Sequence, residues 1–381
     1  MALKLSARGD IPPFIVMDVL RSANERAAEG EDILHLSLGQ PDTPAPQPVL
    51  EAVKKAIDNE AIGYTDAMGI PVLRQRIADH YKYLYNQVID PKRIMVTTGS
   101  SAGFLLSFLA AFEPGDKVAL AAPGYPAYRN ILTALGIEPV LIEAGPDERF
   151  QPSPELLDAL GEELDGLIIA SPSNPAGTML DEQALKNIVD YCEQKEIRLI
   201  SDEIYHGISY GMKATTALKF TDNSFIINSF SKYFSMTGWR LGWMVLPEDM
   251  VRPEECLGQN FFISPPTLSQ IAGAAVFDCY DVLDEYVEHY TRNRDILLNE
   301  LPSAGFGSLA PADGGFYIYA DISHRTNDSH EFCRRMLNET GIAAVPGVDF
   351  DPYSGDHYMR FSFAGSQKTM LEAVKRLKNW K

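Results

Sequence analysis

Short apolar runs alternate with segments of helical periodicity along most of the chain. The runs that predict strands are 94–98, 118–122, 140–143, 166–170, 198–202, 225–229 and 241–245. Several are apolar without interruption, the pattern of strands covered on both faces. Between them, 101–112, 125–135 and 181–195 carry apolar residues at helical spacing. Gly136 stops the second of these, and Asp181 caps the third, with Glu182 and Gln183 in its first turn. Such alternation predicts an α/β fold: a mostly parallel, seven-stranded central sheet with flanking helices. Beyond about residue 265 the pattern changes. A long helical stretch over 267–301 is followed by a strand at 315–321, a helix opened by Asp328 or Ser329, a strand at 342–346, an aromatic strand at 357–363 and a last helix to Lys381. These read as a smaller α+β unit, with which a helix at 15–28 and a strand at 33–38 are expected to pack.

Length and charge narrow the reading. The chain has 381 residues, too many for one small core and suited to two packed units. Its 33 basic against 52 acidic residues give a net charge of -19, which repels nucleic acid and anionic membrane surfaces. No window holds the ~20 apolar residues of a membrane helix, and 1–13 has no apolar signal-peptide core. The four cysteines include no C-x-x-C pair, and the seven histidines no H-E-x-x-H. Reduced thiols, a cytoplasmic location and no metal site are the expectation.

In parallel α/β sheets, ligands sit outside the carboxyl ends of the strands. After 94–96 comes Thr97-Thr98-Gly99-Ser100-Ser101-Ala102-Gly103, opening a helix: either an anion site or a tight turn with its cap. After 167–170 comes Ser171-Pro172-Ser173-Asn174-Pro175-Ala176-Gly177, which on its own reads as a proline-punctuated loop. Asp202-Glu203-Ile204-Tyr205, taken alone, reads as a helix cap. The segment Asn228-Ser229-Phe230-Ser231-Lys232 tips the balance. A lysine at the end of a buried strand, between serines and eight positions before Arg240, has the layout of a cofactor Schiff base beside a phosphate clamp.

Ser229-x-Ser231-Lys232-x7-Arg240-x-Gly242, Ser173-Asn174-Pro175-x-Gly177, Asp202-Glu203-x-Tyr205 and Arg360-x-Ser362 follow one another in the order of the fold-type I, pyridoxal-phosphate-dependent class I/II aminotransferases, which this chain resembles over nearly its whole length. The resemblance implies a large cofactor unit at 44–280 and a small one built from 1–43 and 281–381. It implies that Lys232 bonds the aldehyde of pyridoxal 5'-phosphate and then acts as the base at the substrate Cα. Asp202 would pair with the pyridine nitrogen, and Asn174 and Tyr205 would bond the ring oxygen. Ser229, Ser231, Arg240 and the amides of Ser100, Ser101 and Ala102 would hold the phosphate, with Tyr125 stacked on the ring. Tyr64 would reach the cofactor of a neighbouring subunit, implying a homodimer with shared sites. Arg360 would clamp the substrate carboxylate, with the Gly39 amide beside it.

The implied reaction is a ping-pong transfer of the amino group from an L-amino acid to a 2-oxo acid. A carbon–sulfur β-lyase on the same scaffold would keep the same residues and is the alternative. An aminotransferase-like DNA-binding regulator fits poorly with the acidic charge. The aspartate-using branch has a lysine where Ser101 stands, and a serine–threonine pair where Pro13-Phe14-Ile15 stands. A second carboxylate would lack a partner there, so a neutral or aromatic donor is expected. Phe14, Ile15 and, from the other subunit, Phe262 are the candidate side-chain contacts, unless Phe14 and Ile15 simply pack a helix face. Gln259 or Asn260 could instead serve a dicarboxylate.

Overall fold

The computed structural model describes residues 3–59 and 61–380; Met1, Ala2, Glu60 and Lys381, which fall within expected segments, lie outside them. In chain order the strands are β1 (Leu34–His35), β2 (Ile94–Thr97), β3 (Lys117–Ala122), β4 (Glu138–Glu143), β5 (Gly166–Ala170), β6 (Arg198–Asp202), β7 (Phe225–Ser229), β8 (Gly242–Val245), β9 (Ser308–Leu309), β10 (Tyr317–Asp321), β11 (Ile342–Ala343), β12 (Val345–Pro346) and β13 (Tyr358–Ser362). The central sheet has the order β2-β8-β7-β6-β5-β3-β4. It has seven strands and is mostly parallel, as the apolar runs predict.

Successive residues of its strands enter opposite cores. Leu167 and Ile169 join one cluster and Ile168 the other; Ile226 joins the first, Phe225 and Ile227 the second. This is why the runs read as continuously apolar: both faces of the pleat are covered. Each fully buried Ile or Leu contributes about 1.5–3 kcal/mol of burial.

One strand breaks the parallel pattern and shapes the site. β8 runs antiparallel between β2 and β7, so its first residue, Gly242, lies opposite both Thr97 and Ser229. The segment leading into β8, which carries Arg240, therefore arrives at the same sheet edge as the carboxyl ends of β2, β6 and β7.

A second sheet, β12-β13-β10-β9, is antiparallel, and β1 pairs in parallel with β11. Two expected elements are divided. The strand at 342–346 splits at Ala344: β11 pairs with β1, whereas β12 pairs with β13. Pro346, lacking an N–H, is tolerated because β12 is an edge strand. The helical stretch 267–301 breaks into Thr267–Val276 and Tyr280–Glu300. The first packs on Gln47–Asn59, the second on Gln367–Asn379. One straight helix could not reach both. The helices Pro71–Tyr85 and Val251–Phe261 and the short strand β9 had no sequence expectation. No described helix is long and apolar enough to cross a membrane.

Candidate active site

The carboxyl edge of the central sheet faces a cleft, closed from the other side by Phe14, Val16, Met17, Leu38, Gly39, Tyr317 and Arg360. Ser100, Ser101, Tyr125, Asn174, Asp202, Tyr205, Ser231, Lys232, Arg240, Phe14, Gly39 and Arg360 all line it. Residues scattered over most of the sequence thus meet at one place.

The β2 turn makes a cradle. Gly99 has φ +77 and precedes the helix Ser100–Ala111, whose start has no side-chain cap. Its first amides and the positive end of the helix are left free for an anion. A Cβ at Gly99 would lie 2.5 Å from Arg240 Nη2, so only glycine lets the guanidinium come this close. Arg240 Nη1 donates to Thr237 O at 3.1 Å.

Lys232 Nζ donates to Gly39 O at 2.7 Å. Burial, with Arg360 adding to it and Asp202 opposing, pushes the amine down to about 8. Asp202, at the end of β6, is pushed up to about 6 by burial. Tyr128 donates its hydroxyl to Asp202 Oδ2, and Ile204 N donates to Oδ1 at 3.0 Å. The Tyr205 and Tyr317 hydroxyls are 2.8 Å apart.

Arg360 is 2% exposed. Its Cζ lies 4.2 Å from the Tyr317 ring centroid and 4.7 Å from that of Phe350. Nη1 donates to Asn174 Oδ1 at 2.6 Å and Nη2 to Ser37 O, while Nε has no protein partner. Three cations therefore converge on one cleft with carbonyl and amide oxygens, rather than carboxylates, as their bonded partners. Such a site can take a doubly charged phosphate at one end and a carboxylate at the other, with an amine between them.

Some expected residues stand elsewhere. Ile15 does not line the cleft; Val16 and Met17 do, because the helix Ile15–Ala28 turns them inward. The Gly39 carbonyl accepts from the lysine, and the backbone contact of Arg360 is Ser37 O. A Cβ at Gly39 would fall 1.6 Å from the Tyr317 hydroxyl. Ser229 lies behind the cleft, accepting from Ser231 N at 3.0 Å and donating to Leu241 O at 3.4 Å, so it shapes the lysine turn. The Ala102 side chain is buried, leaving only its backbone amide to the cradle. Tyr64 is 84% exposed and Phe262 stands partly exposed, both outside this chain's cleft. Gln259 and Asn260 also stand outside it, their amide nitrogens bonded to Glu255 and to Cys256 O in their own helix.

Tyr128 and Tyr317 had no assigned role in the sequence. Tyr128 sits one helical turn after Tyr125, a spacing that places both on one face. Nothing local marks Tyr317, which β10 brings in from more than a hundred positions beyond Tyr205.

Comparison with known proteins agrees with this fold. The family model "Aminotransferase class I and II" matches residues 31–377. The chain is 45% identical to the valine–pyruvate aminotransferase of Mycobacterium tuberculosis, covering 100% of this chain and 99% of that protein. It is 31% identical to an aspartate aminotransferase of Pyrococcus horikoshii, covering 94% and 93%. The crystal structure of an aminotransferase from Mycobacterium tuberculosis superposes with a TM-score of 0.97 at 45% identity, over 100% of this chain and 99% of that one. The chain belongs to the class I and II aminotransferases, and it is a transaminase.

Proposed function

We propose that the protein uses pyridoxal 5'-phosphate to move the amino group of a neutral aliphatic L-amino acid, with valine as the leading candidate, to a 2-oxo acid such as pyruvate by a ping-pong mechanism. The observation that carries the donor class is the set of cations. Arg240 with the Gly99–Ala102 cradle suits the cofactor phosphate, Lys232 its aldehyde and Arg360 the substrate α-carboxylate. Among the described residues of this chain no further cation lines the cleft, and the wall offered to the substrate side chain is Phe14, Val16 and Met17. The name of the 45% identical relative points the same way.

When bound, the cofactor supplies an electron sink for the carbon that loses its proton. The protein's residues do the rest. Asp202, fixed by Tyr128 and Ile204 N, offers a carboxylate to the ring nitrogen. Asn174 and Tyr205 would bond the ring oxygen, Tyr125 would stack on the ring face, and Ser100, Ser101, the Ala102 amide and Ser231 would hold the phosphate, with Ser229 shaping their turn. An amine held near 8 is neutral in an appreciable fraction of molecules at neutral pH. Lys232 can therefore take a proton at the substrate Cα and return it on the other side of the reaction. Arg360, buried and held under two aromatic rings, fixes the substrate by its carboxylate.

The cofactor unit is taken as 44–280 and the small unit as 1–43 with 281–381, in a cytoplasmic homodimer. Exposed Tyr64, Phe261, Phe262 and Ile263 support that association.

Steady-state kinetics with a panel of donors checks the substrate class. Valine and leucine should exceed aspartate and glutamate in kcat/KM by at least ~100-fold, since a buried carboxylate without a partner costs several kcal/mol. Aspartate or glutamate as the better donor would overturn the assignment.

A further inference from the structure

The helix that walls the cleft, Ile15–Ala28, has no cap of its own. Its N-cap residue is Phe14, extended and without a side-chain oxygen. The first amides are taken instead by a residue 334 positions from Ile15. Asp349 Oδ1 accepts from Ile15 N and Oδ2 from Val16 N, each at 3.1 Å. Asp349 is 1% exposed.

The same turn holds two other parts of the site. Arg129, on the helix that follows Tyr125, donates from Nη2 to Asp349 O at 2.7 Å and from Nη1 to Phe350 O at 3.3 Å. Gly124 N donates to Phe350 O at 3.1 Å, and the Phe350 ring packs against the Arg360 guanidinium. One turn therefore joins the wall helix, the helix after the ring-facing tyrosine and the carboxylate-binding arginine.

A serine or aspartate at position 14 would stabilise the helix end as well as Asp349 does. It would not tie that end to Arg360. A cap from the turn that also packs on Arg360 fixes where the wall stands relative to that arginine, to within the tolerance of two hydrogen bonds.

We propose that Asp349 is a positioning residue that sets donor side-chain selectivity, by holding Phe14, Val16 and Met17 at a fixed distance from the carboxylate site. This rests on the reading above that these residues face the donor side chain. A valine side chain meets that wall, whereas an alanine methyl stops short of it.

Asp349→Ala, Asp349→Asn and Arg129→Gln test it with two readouts. The first is amide hydrogen exchange in the cofactor-free protein, comparing Ile15–Ala28 with the remote helix Glu182–Lys195. In Asp349→Ala the wall helix should exchange about tenfold faster while the reference helix is unchanged, as loss of a cap implies. The second is the kinetics of the loaded enzyme. KM for valine should rise about tenfold, with kcat within about twofold of the unmodified enzyme and KM for alanine within about twofold. Asp349→Asn keeps one acceptor and should fall between. Arg129→Gln should move both readouts in the same direction by less, and these two variants carry the test if Asp349→Ala does not fold. Unchanged exchange would overturn the proposal. Faster exchange with equal effects on valine and alanine would overturn it differently: the cap would stand, and the reading of the side-chain wall would fall.

Discussion

Lys232→Ala is expected to lower turnover by at least about 10⁴-fold and to remove the near-visible absorbance that a lysine-bound aldehyde cofactor gives the protein. The size of the effect follows from two tasks falling on one amine. It holds the cofactor covalently and it carries the proton at the substrate Cα. The surroundings prepare it for both. Burial and Arg360 push it down to about 8, and Gly39 O at 2.7 Å fixes its direction. No neighbour can replace it, since the other cations in the cleft are arginines, which do not deprotonate. Folding should survive, because the lysine's charge is buried at a cost that alanine removes. Circular dichroism and the melting temperature check that point. A yellow, active Lys232→Ala protein would place the cofactor bond on another residue.

Arg360→Ala is expected to raise KM for every α-amino acid donor alike, with kcat/KM falling on the order of 10²- to 10³-fold. Removing one partner of a buried, hydrogen-bonded charge pair costs about 2–5 kcal/mol. The arginine packs against the rings of Tyr317 and Phe350, and its Nε has no hydrogen-bond partner among the described residues. Its planar fork suits a carboxylate, so Arg360→Lys should recover only part of the loss. Kinetics with valine, leucine and alanine would show it. A loss confined to one side-chain class would move Arg360 from the carboxylate site to the side-chain pocket.

Much of this was legible in the sequence, for a physical reason. Strands buried on both faces leave uninterrupted apolar runs, so the edges of β5, β6 and β7 are marked to the residue. Asn174, Asp202 and Lys232 stand at or just after the ends of such runs; the lysine stood out there, whereas Asn174 and Asp202, alone a proline-punctuated loop and a helix cap, took their expected roles from the family resemblance. What stayed hidden depends on pairing at long range. Nothing local divides 342–346 between two sheets, and nothing near Asp202 indicates that Tyr128 bonds it. Ile15 was placed in the pocket because Pro13-Phe14-Ile15 stands where the aspartate-using branch has a serine–threonine pair, but the first turn of the helix brings Val16 and Met17 to the cleft instead. Nothing local shows that the path of the chain presents the Gly39 carbonyl to Lys232. The Asp349 cap spans 334 positions and leaves no local trace at either end.

The most direct test of the central claim is a single half-reaction. Cofactor-loaded protein is mixed with excess L-valine and no acceptor, and the 2-oxo acid and ammonia are both measured. The account predicts one equivalent of 2-oxo acid per site, loss of the near-visible absorbance, no ammonia, and a restart only when pyruvate is added. Continuous release of ammonia without an acceptor, or no 2-oxo acid at all, would contradict it.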